Sequence, residues 1–184
     1  MDKARFLRPQ REPDPVKFIL AVTSCPGDFV TKALQKCQKE FGEIDARSPV
    51  FEFQHTSYYE REMGSGLQKR FCSFHDLHQP TALVDRKLFT LELEREFSVK
   101  SRRKINLDPA YMELAKLVVA SSKNFSHRIH LGKGVYGDLQ LRYKDNKFLG
   151  HEWTYPDYRR QDYHEFFVEC RDYLRRRARE GDLT

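Results

Sequence analysis

The apolar and polar positions divide the chain into short alternating and helical runs. Val16–Thr23 (VKFILAVT) is an apolar, β-prone run that predicts a strand buried on both faces. Ser24-Cys25-Pro26-Gly27 turns the chain, and Asp28 is placed to cap a helix. Val30, Ala33, Leu34, Cys37 and Phe41 recur at helical spacing, and Gly42 stands where a helix stops. Val50–Gln54 alternates and predicts a second strand, and Lys69–Phe74 a third. A polar and aromatic loop, His55–Gly66, joins them. Pro80 opens a second helix, with Leu83, Val84, Leu88, Leu91 and Phe97 as its apolar positions. Ile105–Leu107 predicts a fourth strand.

Residues 16–107 therefore spell β-α-β-β-α-β, the split-βαβ or ferredoxin-like order, which the right-handed crossover rule favours. Residues 108–184 read differently. Glu113–Ser122 is compatible with strand or helix, and its Val-Val pair favours strand. Ser126–Leu131 and Val135–Tyr143 alternate around Gly132-Lys133-Gly134 and predict a hairpin. Asp145-Asn146 is a second tight turn, followed by a short strand to about His151. Residues 153–158 form a loop, with Trp153 expected in the core at one edge. Asp162 and Glu165 have capping-box spacing, and Tyr163, Phe166, Phe167, Cys170, Tyr173 and Leu174 line one face of a final helix. The expected fold class is α+β: a ferredoxin-like unit extended by an antiparallel hairpin region and a C-terminal helix. Residues 1–15, with three prolines, read as an extended arm and 16–184 as a single domain.

Composition adds boundaries. A chain of 184 residues with 39% hydrophobic and 13% aromatic content builds a real core. The net charge of +6 is compatible with an anionic partner. No apolar run approaches the roughly 20 residues that span a bilayer, so no membrane association is expected. The N-terminus lacks the pattern of a secretory signal. Cys25, Cys37, Cys72 and Cys170 show no C-x-x-C spacing and read as free thiols in a reducing cytoplasm.

Gly132–Gly137 fits G-x-G-x-x-G, yet the residues that follow form a strand pattern rather than a helix, which removes the dinucleotide-binding reading. The lysine and aspartate strings of protein kinases and the P-loop are missing as well. A hairpin turn remains. His127 and His130, three apart on a strand, fall on opposite faces. Arg128 then shares a face with His130, and His127 with Ile129. His75 and His78 flank Asp76 without an identifiable third ligand, so no metal site is assigned. Thr56, Tyr58, Tyr59 and Glu60 follow a predicted strand directly, where they either contact a planar ligand or cover the sheet edge. Asp108, before Pro109, reads as part of a polar turn.

Several strings occur together: Pro13-x-Pro15-Val16-Lys17, Thr56-x-Tyr58-Tyr59-x-x-Glu62-Met63-Gly64, Asn106-Leu107-Asp108-Pro109, Lys116-Leu117-Val118, Ser126-His127-Arg128-Ile129-x-Leu131-Gly132-x-Gly134-Val135-Tyr136 and Trp153–Tyr158. Jointly they resemble the uncharacterised prokaryotic family known as domain of unknown function 4416, over nearly the whole chain. The resemblance implies a single-domain protein without an established activity. It also implies an Asn where this chain has Leu91, beside Lys87, Thr90 and Glu92. Some members are labelled GTP-binding, but this chain has neither the P-loop nor the N-K-x-D string of such proteins.

The expected function is binding of a small anionic or nucleotide-like ligand. Thr56, Tyr58, Tyr59, Asp108, Arg128, Tyr155 and Asp157 would line the pocket, and His127 or Glu60 would be the acid/base group of any chemistry. Which cofactor, if any, such chemistry would use is left open by the sequence. Two other readings stay open. One is an RNA-binding sheet with surface aromatics, for which the usual aromatic signature is missing and Phe51 and Phe53 look buried. The other is a non-catalytic interaction domain that docks through the free hairpin edge.

Overall fold

The computed structural model describes residues 11–53, 62–100 and 102–181. Among these residues nine strands form one antiparallel sheet, and the described helices cover both of its faces. The elements are β1 (Val16–Ser24), α1 (Asp28–Phe41), β2 (Ile44–Arg47), β3 (Phe51–Glu52), β4 (Gln68–His78), α2 (Ala82–Glu96), β5 (Ile105–Met112), β6 (Lys116–Ser121), β7 (Arg128–Gly132), β8 (Val135–Lys144), β9 (Lys147–Gly150) and α3 (Gln161–Arg179). A 3-10 turn, Pro156–Arg159, precedes α3. The strand order is β2-β4-β1-β5-β6-β8-β7, with β3 also on β4 and β9 also on β8.

β1 is central, and all nine of its residues are buried. Its two faces serve two cores. Val16, Phe18, Leu20 and Val22 pack with Ala33, Cys37 and Phe41 of α1 and Leu83 and Leu93 of α2. Ile19 and Ala21 face α3, where Phe71 meets the rings of Tyr158, Tyr163, Phe166 and Phe167. Lys17 lies on this second face, yet it is buried. Its ammonium donates to Asp45 Oδ2 at 2.6 Å and to the Phe74 carbonyl at 2.8 Å, and it lies 3.8 Å from the centroid of the Tyr173 ring. Burial alone would raise the pKa of Asp45, but Lys17 and Ser73 bond its carboxylate and hold it below the ordinary value.

Several expectations change. β2 precedes the predicted second strand, which shrinks to the two residues of β3. Neither predicted acidic cap forms. Gly27 and Arg160 occupy the N-cap positions, and Asp162 pairs with Arg160 instead of entering a box with Glu165. The Asn106–Pro109 turn is strand: β5 runs through it, because β1 pairs with it from Ile105 to Met112. The α2 stripe is only partly apolar: Leu83 is buried and Val84, Leu88 and Phe97 pack against the same core, but polar residues share the buried face. Arg86, Lys87, Thr90 and Glu94 are buried beside Leu83 and Leu93. The Arg86 guanidinium lies 3.7 Å from the centroid of the Phe18 ring, and burial pulls its pKa down to about 10.

The glycine string is the β7–β8 turn. Lys133 and Gly134 both have positive φ, at 49° and 75°, as the two central residues of a hairpin turn of this hand require. Gly137 lies in β8, where a Cβ would come within 3.2 Å of Leu131 and 3.4 Å of Val118.

The ring cluster predicts where stability concentrates. Phe71→Ala should cost about 3–5 kcal/mol in denaturant unfolding. Ile129→Ala, at a position 72% exposed, should stay within about 0.5 kcal/mol. Equal effects would contradict this account of the core.

Candidate functional site

A proline opens the site. β5 pairs with β1 along its whole length, but with β6 only at Ala110, Tyr111 and Met112. Leu107 shows which way its odd-numbered residues direct their backbone groups. Its N–H donates to Glu94 Oε1 at 2.7 Å, and its carbonyl accepts from Lys87 Nζ at 3.0 Å, both on the side away from β1. Pro109 has the same orientation two residues on, and it has no N–H to offer β6. β6 therefore leaves β5 and follows β8. The two strands diverge around a cavity of about 270 Å³.

Helix α2 and its exit segment furnish one wall. Lys87 Nζ also donates to Asp108 Oδ1 at 2.9 Å, and Asn106 Nδ2 donates to the other carboxylate oxygen at 2.5 Å. Arg103 donates to Asn106 Oδ1 at 2.9 Å and to Glu94 Oε2 at 3.0 Å. Its Nε and Nη2 grip both oxygens of Glu62, at 2.6 and 2.7 Å. Burial works to raise the Asp108 carboxyl, but the Lys87 charge and hydrogen bond hold it below the usual range. Burial pushes Glu94 up, and the nearby cations only partly offset this.

The opposite wall comes from β4, β7 and the loop before α3. Lys69 donates to Asp157 Oδ2 at 2.5 Å, both side chains being buried, with the Tyr158 ring centroid 4.5 Å from its ammonium. Arg128 is fixed by three acceptors: Asp138 Oδ2 at 2.7 Å, the Tyr155 hydroxyl at 2.6 Å and the Lys123 carbonyl at 2.9 Å. Buried Asp138 also accepts from Gln140, whose own oxygen takes the Tyr155 N–H. Burial, with Asp138 close by, raises the Tyr155 hydroxyl above its ordinary value, so it stays protonated.

Of the residues expected from sequence, Asp108, Arg128, Tyr155 and Asp157 line this one cavity. Thr56, Tyr58, Tyr59 and Glu60 lie outside the described residues. His127 does not line it. Its ring stacks on Trp153 (5.1 Å, 9°), which stacks in turn on His151 (4.8 Å, 4°). The expectation that His127 and Arg128 diverge is overturned: both approach Asp138 Oδ2, His127 Nε2 at 3.5 Å, because the strand starts only at Arg128. Trp153 is not core. It is 37% exposed and anchored by its N–H on the Leu139 carbonyl. Among the described residues no three His, Cys, Asp or Glu side chains gather as a metal site. Lys69, Lys87, Glu94 and Arg103 were not expected. Lys87, Thr90 and Glu94 nonetheless share the helix face of Leu83 by their spacing, and charge on a buried stripe is the signal that marks them.

Two stability effects follow. Lys69→Met leaves Asp157 buried and unpaired and should cost about 3–5 kcal/mol, with Asp157→Leu in the same chain restoring most of it. Asp108→Asn should cost roughly 2 kcal/mol at neutral pH. A lowered folded-state pKa stabilises above the unfolded value, and that contribution is lost as pH falls through the folded one. The gap between Asp108→Asn and the parent should therefore close in acid, as read by urea unfolding across pH. A gap independent of pH would contradict the Lys87 pairing.

Comparison with curated proteins finds no match, and neither does comparison with solved structures. A family model described as "Domain of unknown function (DUF4416)" matches residues 14–173. The match takes in both walls of the cleft, and the chain belongs to that family.

Proposed function

We propose that the β5–β6 cleft binds a small ligand with an anionic group, nucleotide-like in combining that group with hydroxyl or amino functions. The observation behind this reading is the cavity lining: among the described residues, five basic side chains (Lys69, Lys87, Arg103, Lys123, Arg128) stand against three acidic ones. Glu62 and Asp138 do not line the cavity. They stand behind Arg103 and Arg128 and hold the guanidinium planes in place. Phe53, Leu91, Val119 and Tyr158 supply apolar surface between these charges. A volume of about 270 Å³ lies just under the roughly 300–1,000 Å³ of typical ligand pockets, which favours a mononucleotide or sugar phosphate over anything larger.

In this reading Arg128 is the anion clamp. Asp108 and Asp157 accept hydrogen bonds from the ligand. His127 acts only through Asp138 and Arg128, so it is a positioning residue. We read β2-β4-β1-β5 as the split-βαβ half of the fold, with β6 to β9 added beside it. Four free cysteines support a reducing, cytoplasmic setting. Phe51 and Phe53 are buried, so neither ring is offered as a stacking surface, which favours the small-ligand reading over RNA.

Thermal-shift measurements with nucleoside monophosphates and sugar phosphates test the reading. At least one should raise Tm by a few degrees at about 100 times its Kd. Arg128→Gln should weaken it about tenfold or more, and Tyr155→Phe by less. Silence across the panel, or binding indifferent to Arg128→Gln, would remove the proposal. Binding of mixed oligonucleotides with a steep salt dependence would favour RNA instead.

A further inference from the structure

The edge that β6 turns toward the cleft is bare. At the start of this strand the Lys116 carbonyl accepts from the Glu113 N–H, on the β5 side, at 2.9 Å. The Ala115 carbonyl accepts from the Tyr143 N–H, on the β8 side, at 2.7 Å. Successive residues of a strand direct their backbone groups to opposite edges, so the even-numbered residues of β6 face β5 and the odd-numbered ones face β8. Pairing with β5 runs in unbroken register, Met112 with Leu117, Tyr111 with Val118 and Ala110 with Val119. One residue further, that register sets Ala120 against Pro109. Proline has no N–H, so the Ala120 carbonyl finds no donor on β5. Ala120 is buried and lines the cavity, and among the described residues no side chain donates to its carbonyl. A buried carbonyl ordinarily has a partner.

The next peptide group on this edge adds a donor. Ser121 pairs with Tyr136, so its carbonyl is directed to β8. The peptide bond to Ser122 is trans, and the Ser122 N–H therefore points the opposite way, into the cleft that Ser122 also lines. In register its acceptor would be the Leu107 carbonyl, which Lys87 Nζ holds at 3.0 Å. An acceptor and a donor thus stand on either side of Ser121, as a strand presents them to a neighbouring strand, but no strand is there. None can run through, because β5 and β6 close together at Ala110 and Val119. The occupant is a compact planar group rather than an extended chain.

We propose that this edge reads a nucleobase, an inference that rests on the anion-binding reading of the same cleft. The Ala120 carbonyl accepts an N–H of the base, the Ser122 N–H donates to the nitrogen or oxygen beside it, and Arg128 takes the phosphate. Every standard base carries an N–H next to an acceptor, in one plane, on its Watson–Crick edge. A sugar phosphate offers only hydroxyl groups, and it has no flat apolar face to set against Leu91 and Val119. The ligand is a nucleoside monophosphate, and Pro109 is the specificity-determining residue, because it keeps β5 from occupying the edge.

Isothermal calorimetry of the full chain with the four nucleoside 5′-monophosphates and with ribose 5-phosphate is the test. At least one nucleotide should bind about tenfold or more tighter than ribose 5-phosphate. It should also move the backbone amide resonance of Ser122 further than ribose 5-phosphate does. Pro109→Ala supplies an N–H opposite the Ala120 carbonyl. It should bring the affinity for that nucleotide down to the affinity for ribose 5-phosphate and leave the latter unchanged. Arg128→Gln should weaken both ligands alike, so that the preference between them survives. Equal binding of the nucleotides and ribose 5-phosphate would overturn the base-reading edge and leave the anion site standing. A preference that persists in Pro109→Ala, or a Ser122 amide that no nucleotide moves, would overturn it as well. Silence from all five ligands would remove both readings. The Ser122 amide is read in the parent chain, so it decides the matter whatever Pro109→Ala does to the fold.

Discussion

The peptide unit of Leu107 is the constraint on which the cleft depends. It sits inside the protein beyond the point where β6 has left β5, and neither its N–H nor its carbonyl has a strand to bond. Left bare, each group would carry a desolvation cost of about 1–3 kcal/mol. Glu94 and Lys87 take the place of the missing strand, one oxygen for the N–H and one ammonium for the carbonyl. Helix α2 therefore cannot present an ordinary apolar stripe. Its buried face must hold two opposite charges at the height of one residue of β5, with Thr90 between them. Arg103, Asn106 and Asp108 follow as the groups that complete the hydrogen bonding of those two. The polar character of the pocket is thus a structural answer to an opened sheet before it is anything else.

The other half of the sheet solves the reverse problem. There β1 is paired along both edges, with one break in register on the β4 side between Lys17 and Ile19. The one cation on the strand, Lys17, is tolerated because Asp45, a carbonyl and an aromatic face surround it. Lys69 on β4 repeats the arrangement with Asp157 and the Tyr158 ring. In both pairs a lysine on the α3 face of the sheet fixes a segment distant in the chain: β2 in one case, the turn before α3 in the other. These pairs contribute registry as well as energy. They determine where the polypeptide may lie against the sheet.

Local patterns revealed a good part of this, and the reasons differ for the rest. The α3 face, from Tyr163 to Leu174, was legible because its spacing is strict and its neighbours are charged. The Lys133-Gly134 turn was legible because only certain residues accept positive φ. By contrast, Pro109 looked like a turn because proline usually interrupts strands; it interrupts one here only on its β6 side, which no local pattern shows. Lys87 and Glu94 were hidden for a related reason. Their partner is a backbone group of another element, so nothing in α2 itself accounts for their burial. Asp108, Arg128, Tyr155 and Asp157 could be named from sequence as polar groups near strand ends. Their convergence could not, since it follows from the divergence of β5 and β6.

The stack of His127, Trp153 and His151 has an optical consequence. Trp153 is the single tryptophan of the chain, so the tryptophan emission of the protein comes from one indole stacked with two imidazoles. One of those imidazoles shares Asp138 with Arg128. Any displacement of the arginine thus passes through a single carboxylate to a ring in contact with the fluorophore. The protein contains a built-in probe on the outer side of its own cleft, readable without a label.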